Sequence, residues 1–191
     1  MGRLLTLLRP KGDRVLFFDS FTDADGTLLT NHTPDVDTVG GGWVDIEGPW
    51  DINGNRARST AGSTWKASVI DTGRSDVLVT ADLAVNSFNV GIVLNAVDAS
   101  NYWTAQAMRN LAELRLQEQT GGTSTVRAST SRSYSGGEAF TLTAKREGAQ
   151  MTVTEGANEL SYSSSLHAAS TRHGIRAYAE NSYADSFEVV G

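Results

Sequence analysis

Apolar and polar residues alternate with a period of two along most of this chain, as they do in half-buried strands. Val77, Val79, Ala81, Leu83 and Val85 share one face of a segment running from Asp76 to Val85. Phe88, Val90, Ile92, Leu94 and Ala96 do the same in the next segment, across a tight link at Asn86-Ser87. Further strands are predicted over Tyr102–Arg109, Ala112–Glu118, Ser124–Arg132, Ala139–Arg146 and Met151–Val153. Their turns carry Asn110, Gly121-Gly122, Gly136-Gly137 and Gly148. A polar, Ser-rich stretch over 161–172 reads as a loop.

The same alternation marks both ends of the chain, Val15-Leu16-Phe17-Phe18-Asp19-Ser20-Phe21 and Gly174–Glu180 with Ala184–Val190. Pairing of these terminal segments would close the chain into one antiparallel body. The expectation is an all-β, two-sheet antiparallel jelly-roll sandwich over residues 15–191, with roughly twelve to fourteen strands. Between residues 22 and 65 turn signals crowd together, and only short strands fit, around Trp43–Ile46, Trp50–Ile52 and Arg56–Arg58.

Residues 1–14 fall outside this pattern and read as an N-terminal docking arm. Leu4, Leu5, Leu7 and Leu8 line one face of a helical turn followed by Arg9, and so short a helix needs a partner surface. The arm carries a net charge of +3, and the rest of the 191-residue chain −9. The overall net charge of −6 argues against general nucleic-acid affinity. No apolar run approaches the ~18 residues of a membrane-spanning helix, so membrane insertion is not expected. Cysteine is absent, which rules out a disulfide framework and thiolate zinc sites and fits assembly in a reducing cytoplasm.

Catalytic patterns fail one by one. His32, His167 and His173 are scattered, with no Ser-His-Asp or HExxH arrangement. Asp45-Ile46-Glu47 and the group Glu180, Asp185 and Glu188 lack the spacing of paired glycosidase carboxylates on one strand. No catalytic residue is assigned, and an enzyme is not expected. Asp23-Ala24-Asp25-Gly26 invites a calcium loop, but Leu28 and Pro34 fall where an EF-hand needs Gly and Glu, so it reads as a turn. Asp98-Ala99-Ser100-Asn101 reads as a side-chain-stabilised turn, the alternative being a polar sugar or ion site. No cofactor or metal ligand set is assigned.

Aromatic side chains are the remaining candidates, because a sugar stacks its C–H face on an exposed ring. Trp43, Trp50, Trp65, Tyr102 and Trp103 are the candidate carbohydrate-binding residues; Tyr178 and Tyr183 share the ambiguity between site and core. Tyr102 and Trp103 must point to opposite faces of their strand, one into the core and one onto a sheet surface.

The order of these pieces resembles a known superfamily. The Phe17-x-Asp19-x-Phe21 opening, Trp43, Gly48-x-Trp50-x-Ile52, Gly91-Ile92-Val93-Leu94, Asp98-x-x-Asn101-Tyr102-Trp103, Leu114-x-Leu116, Gly121 and the terminal Gly174-Ile175 and Phe187-x-Val189 are similar to the concanavalin A-like lectin/glucanase domains of the laminin-G-like branch. Asp23–Thr27, His32–Asp35, Trp43 and the basic, Leu-rich start further resemble structural proteins of tailed bacteriophages, minor tail proteins among them. The resemblance implies a virion component assembled in the bacterial host cytoplasm. It also implies contact with other virion proteins through the arm, with host-surface glycan through the lectin-like domain, and a homo-oligomer. It allows structural calcium, for which Asp19, Asp25 or Asp185 could serve. A capsid decoration protein without ligand and a polysaccharide hydrolase are the alternatives.

Overall fold

The computed structural model of the protein describes residues 13–191. Among them, sixteen strands form two sheets in which every strand pair is antiparallel. One sheet runs β14 (Asn158–Ser163), β13 (Gln150–Glu155), β12 (Glu138–Glu147), β7 (Val77–Val85), β16 (Tyr183–Val190), β1 (Val15–Asp19) and β2 (Val36–Asp37). Two short strands extend it, β5 (Ala57–Ser59) on β16 and β4 (Trp50–Ile52) on β5. The second sheet runs β11 (Thr123–Ser131), β10 (Glu113–Thr120), β9 (Asn101–Met108), β8 (Asn89–Asp98), β15 (Arg172–Tyr178), β6 (Trp65–Asp71) and β3 (Val44–Asp45). Only two short 3-10 turns interrupt the strands, and no helix of the described residues is long and apolar enough to cross a membrane.

The expected closure of the termini is present. Val15 pairs with Val190, Phe17 with Val189 and Asp19 with Phe187, while the other side of β16 pairs with β7. Arg14 exchanges main-chain hydrogen bonds with Gly191 at 3.3 and 3.1 Å, so the ladder begins inside the segment read as the arm. Leu4, Leu5, Leu7, Leu8 and Arg9 lie outside the described residues.

Inward faces match the alternation. Val77, Val79, Ala81, Leu83 and Val85 of β7 meet Val90, Ile92 and Leu94 of β8 and Trp103, Ala105 and Ala107 of β9 in one core. Each fully buried aliphatic side chain contributes ~1.5–3 kcal/mol of burial free energy. Two expectations need correction. Phe88 is 42% exposed, because β8 begins one residue later and the link after β7 takes Phe88 out of register. Ala96 leaves the main core because Asn95 adopts a left-handed backbone (φ 49°), which breaks the alternation and turns the strand end over. The Ser-rich stretch also conceals a strand. In β14 only Leu160 is buried and Tyr162 packs on the core, since an edge strand needs few apolar residues.

Polar side chains pin the connections between strands. Asp19, fully buried at the end of β1, accepts hydrogen bonds from Trp43 Nε1 (2.7 Å) and the Phe21 amide (2.7 Å), and lies 2.9 Å from His32 Nε2. His32 reaches Asp23 through Nδ1 at 3.0 Å. Trp43 in turn meets Phe17 and Phe187 edge-on at 5.3 and 5.2 Å. Buried Arg146 donates to the carbonyls of Gly148 (2.9 Å), Ser164 (2.6 Å) and Leu166 (3.3 Å), tying down the connection after β14. Replacing Arg146 with Met strips these carbonyls of their donor. The expected loss is ~1–3 kcal/mol, read from the urea midpoint.

Two histidines give stability opposite pH dependences. Burial opposes a charge on His32, but hydrogen bonds and charge from Asp23 and Asp19 outweigh it and raise its pKa. Its contribution is therefore complete below the unfolded value of ~6.5 and is lost as pH rises through the raised native value. His173 is fully buried, hydrogen-bonds the Arg74 carbonyl through Nε2 at 3.0 Å, and burial pushes its pKa down to about 4. The unfolded chain takes up that proton first, so stability falls as pH drops from ~6.5 towards the native value. Unfolding midpoints across this range are expected to peak between the two limbs. His32→Gln should remove the alkaline decline and leave the acid one.

Candidate functional site

The second sheet has a face turned away from the core, and alternation assigns its residues. On β6 these are Trp65, Ala67, Val69 and Asp71; on β15, Arg172, Gly174, Arg176 and Tyr178; on β9, Tyr102, Thr104, Gln106 and Met108. Register lines them up in rows across the strands. One row reads Arg115, Gln106, Gly91, Arg176 and Ala67; the next reads Glu113, Met108, Asn89, Tyr178 and Trp65.

Arg176 organises one side of this face. Its side chain is only 3% exposed, and its Nε donates to Glu47 Oε2 at 2.9 Å. Its guanidinium lies 3.4 Å from the Trp65 ring centre and 5.2 Å from that of Tyr102. Glu47 follows edge strand β3 and folds over the sheet far enough for its Oε1 to lie 3.5 Å from the Tyr102 hydroxyl. Burial raises the Tyr102 pKa well above that of a free phenol and keeps it a neutral donor. Beside this cluster the half-buried rings of Trp65 and Tyr178 meet edge-on at 5.0 Å, and Tyr178 meets exposed Phe88 at 5.3 Å. The result is an aromatic ridge from β6 across β15 to the link before β8.

The floor beside the ridge is buried and lacks a side chain at two positions. A Cβ on Gly91 would lie 2.0 Å from the Ala105 carbonyl oxygen and 2.9 Å from Gln106 Cγ. A Cβ on Gly174 would lie 2.0 Å from the Ser68 carbonyl oxygen. No side chain fits at either position, which explains glycine in the middle of two long strands. Gln106 is fully buried next to Gly91, and neither its amide oxygen nor its amide nitrogen has a hydrogen-bond partner among the described residues. Buried polar groups in folded proteins are nearly always bonded, so this amide calls for a partner that the described residues do not supply. Arg115 stands next to it in the row, held by Glu113 at 2.5 Å.

The sequence candidates divide accordingly. Trp50 and Trp103 are completely buried and Trp43 is 2% exposed. All three belong to the main core, so as stacking surfaces for a ligand they are corrected to structural residues. Tyr102 does face away from the core, opposite to Trp103, but Glu47 and Arg176 cover it. Trp65 alone among the five keeps a partly open ring on the outer face. Tyr183 lies under the Arg56 guanidinium, 4.1 Å from its ring centre, on the other sheet. Asp98–Asn101 forms the expected turn, with the Ser100 amide and Asn101 side chain both donating to Asp98. No three His, Asp or Glu side chains among the described residues converge as a metal site. Asp19 is used by Trp43 and His32, Asp25 accepts the Gly54 amide at 2.7 Å, and Asp185 lies 3.7 Å from Arg56. The places of Phe88, Glu47, Gln106, Arg115 and Arg176 on this face carry no signal in the sequence, since the neighbours of each come from other strands.

No protein-family model matches the chain, and no curated protein does. Solved structures do match. The carbohydrate-binding module CBM66 from Bacillus subtilis superposes with a TM-score of 0.61 at 14% identity, over 74% of this chain and 91% of that one. A structure described with the endo-acting O-glycanases with which human gut microbiota initiate mucin breakdown matches at 0.65 and 9% identity, over 93% and 99%. The CBM2 module of the evolved Dit protein of Lactobacillus casei BL23 phage J-1 matches at 0.56 and 8%, over 93% and 95%. The fold is the jelly roll these proteins share.

The division of the tryptophans is measurable. Trp103→Ala empties part of the core and is expected to cost ~3–5 kcal/mol of unfolding free energy. Trp65→Phe is expected to change it by less than ~1 kcal/mol, because an aromatic ring is kept and only its contacts with Arg176 and Tyr178 are altered. Equilibrium urea unfolding of both variants checks this.

Proposed function

We propose that this protein is a non-catalytic glycan-binding module, and that it binds through the outer face of the second sheet. The observation that carries the reading is the Trp65–Tyr178–Phe88 ridge standing beside a buried, unpartnered Gln106 amide and two arginine–glutamate pairs. Apolar rings take the C–H faces of a sugar, and fixed donors and acceptors take its hydroxyls. The likeness in fold to carbohydrate-binding modules supports the reading. The carboxylates beside the ridge are both committed to arginines, so neither stands free to protonate a leaving group as a glycosidase requires.

The setting we propose is the virion of a tailed phage, with the module on a minor tail protein and its N-terminal arm docked in neighbouring virion proteins. The resemblance of the opening residues to such proteins supports this, as does the fold shared with the phage J-1 Dit module. Several copies on one particle turn weak single sites into firm attachment. Immunogold labelling of particles tests the location: label on tails is expected, and label on heads would point to capsid decoration.

Glycan-array screening followed by calorimetry with the best ligand tests the site. Trp65→Ala and Phe88→Ala are each expected to weaken binding by up to about tenfold, the worth of one aromatic contact, with the fold intact by circular dichroism. Unchanged affinity in both variants would place the site elsewhere.

A further inference from the structure

Charge on the outer face is cancelled locally, and this limits what the site accepts. Arg176 is held by Glu47 at 2.9 Å and Arg115 by Glu113 at 2.5 Å. Arg172 stands across from Asp71 in the strand register, but its Nε donates to the Ala96 carbonyl at 3.0 Å, while Asp71 accepts from the Thr171 hydroxyl and the Gly73 amide. Arg176 and Arg115 thus each have their own carboxylate. The chain as a whole carries a net charge of −6, so its long-range field repels anions. Such pairs still present oriented N–H donors and carboxylate acceptors, the equipment for hydroxyl groups, which donate and accept at once.

Gln106 adds an observation independent of charge. Its amide is fully buried between Arg115 on one neighbouring strand and Gly91 on the other, with both polar ends unbonded among the described residues. An amide is neutral and offers a donor and an acceptor together, so the partner that completes it is also a neutral donor–acceptor group. A carboxylate or sulfate would leave the donor end satisfied and the acceptor end opposed.

We propose that the site selects uncharged saccharides, and that Gln106 is a specificity residue that completes its hydrogen bonds with a ligand hydroxyl, directly or through one bridging water. This rests on the glycan-binding reading above. It further assigns Glu47 and Glu113 the task of excluding acidic sugars by neutralising the arginines that would otherwise attract them.

The test is calorimetric titration of the full chain with neutral gluco-, galacto-, manno- and fructo-oligosaccharides. Oligogalacturonate, sialylated oligosaccharide and glycerol-phosphate polymer are titrated alongside, all at low and high salt. Binding is expected from a neutral ligand only, with an affinity that salt does not change. An acidic ligand that binds more tightly, and weakens with salt, would overturn the selectivity while leaving glycan binding standing; no binding by either class would overturn both. Glu113→Gln, a change at a partly exposed position, is expected to admit an acidic saccharide at low salt with a several-fold gain in affinity; no gain would remove the neutralising role. Gln106→Leu removes an unsatisfied buried amide, so stability is expected to hold or rise while neutral-sugar affinity drops roughly tenfold. Unchanged affinity in Gln106→Leu would refute the role given to this residue.

Discussion

The outer face depends on one ion pair. Arg176 sits almost wholly buried on a sheet surface that would otherwise be open, and it can do so only because Glu47 meets it. A buried guanidinium left without its carboxylate is costly, commonly by several kcal/mol. The pair also has a mechanical effect. It draws the chain after β3 across the sheet, lays a cation on the Trp65 ring and closes over Tyr102. The contact joins residues 129 positions apart in sequence, so the ridge and the floor beside it take their shape only when the sandwich is complete.

The polar pins of the strand connections work differently. Asp19 and Arg146 are buried but serve the connections between strands, and their partners are an indole N–H, a main-chain amide and main-chain carbonyls. They convert irregular segments into fixed ones, which a small apolar core cannot do alone. The outer-face arginines instead fix glutamates on a sheet surface, Arg176 holding Glu47 and Arg115 holding Glu113. The same residue types therefore serve the strand connections in one place and, in the proposed function, recognition on the face.

Tryptophan shows how burial overrides chemistry. All four indoles could stack on a sugar, yet three lie in the core, where a large apolar ring gains most by leaving water. Trp65 escapes because it opens β6 on the outward side of the alternation, opposite Tyr178 in the register. A ring becomes a site through the face it occupies, and that depends on strand phase.

Much of the architecture was legible in the residues alone. The period of two placed β7–β13 and the terminal strands but not β6, and terminal pairing followed from alternation at both ends, because one face of a strand must find a core. It failed where a local backbone event shifted the phase, at Phe88 and Asn95, and in β14, where an edge strand needs little apolar content. The opposition of Tyr102 and Trp103 was readable, but which of them would remain open was not. Glu47, Gln106, Arg115 and Arg176 carry no local signal at all. They meet across four different elements through strand order and register, and these are settled by long-range pairing and core packing, beyond the reach of neighbouring residues.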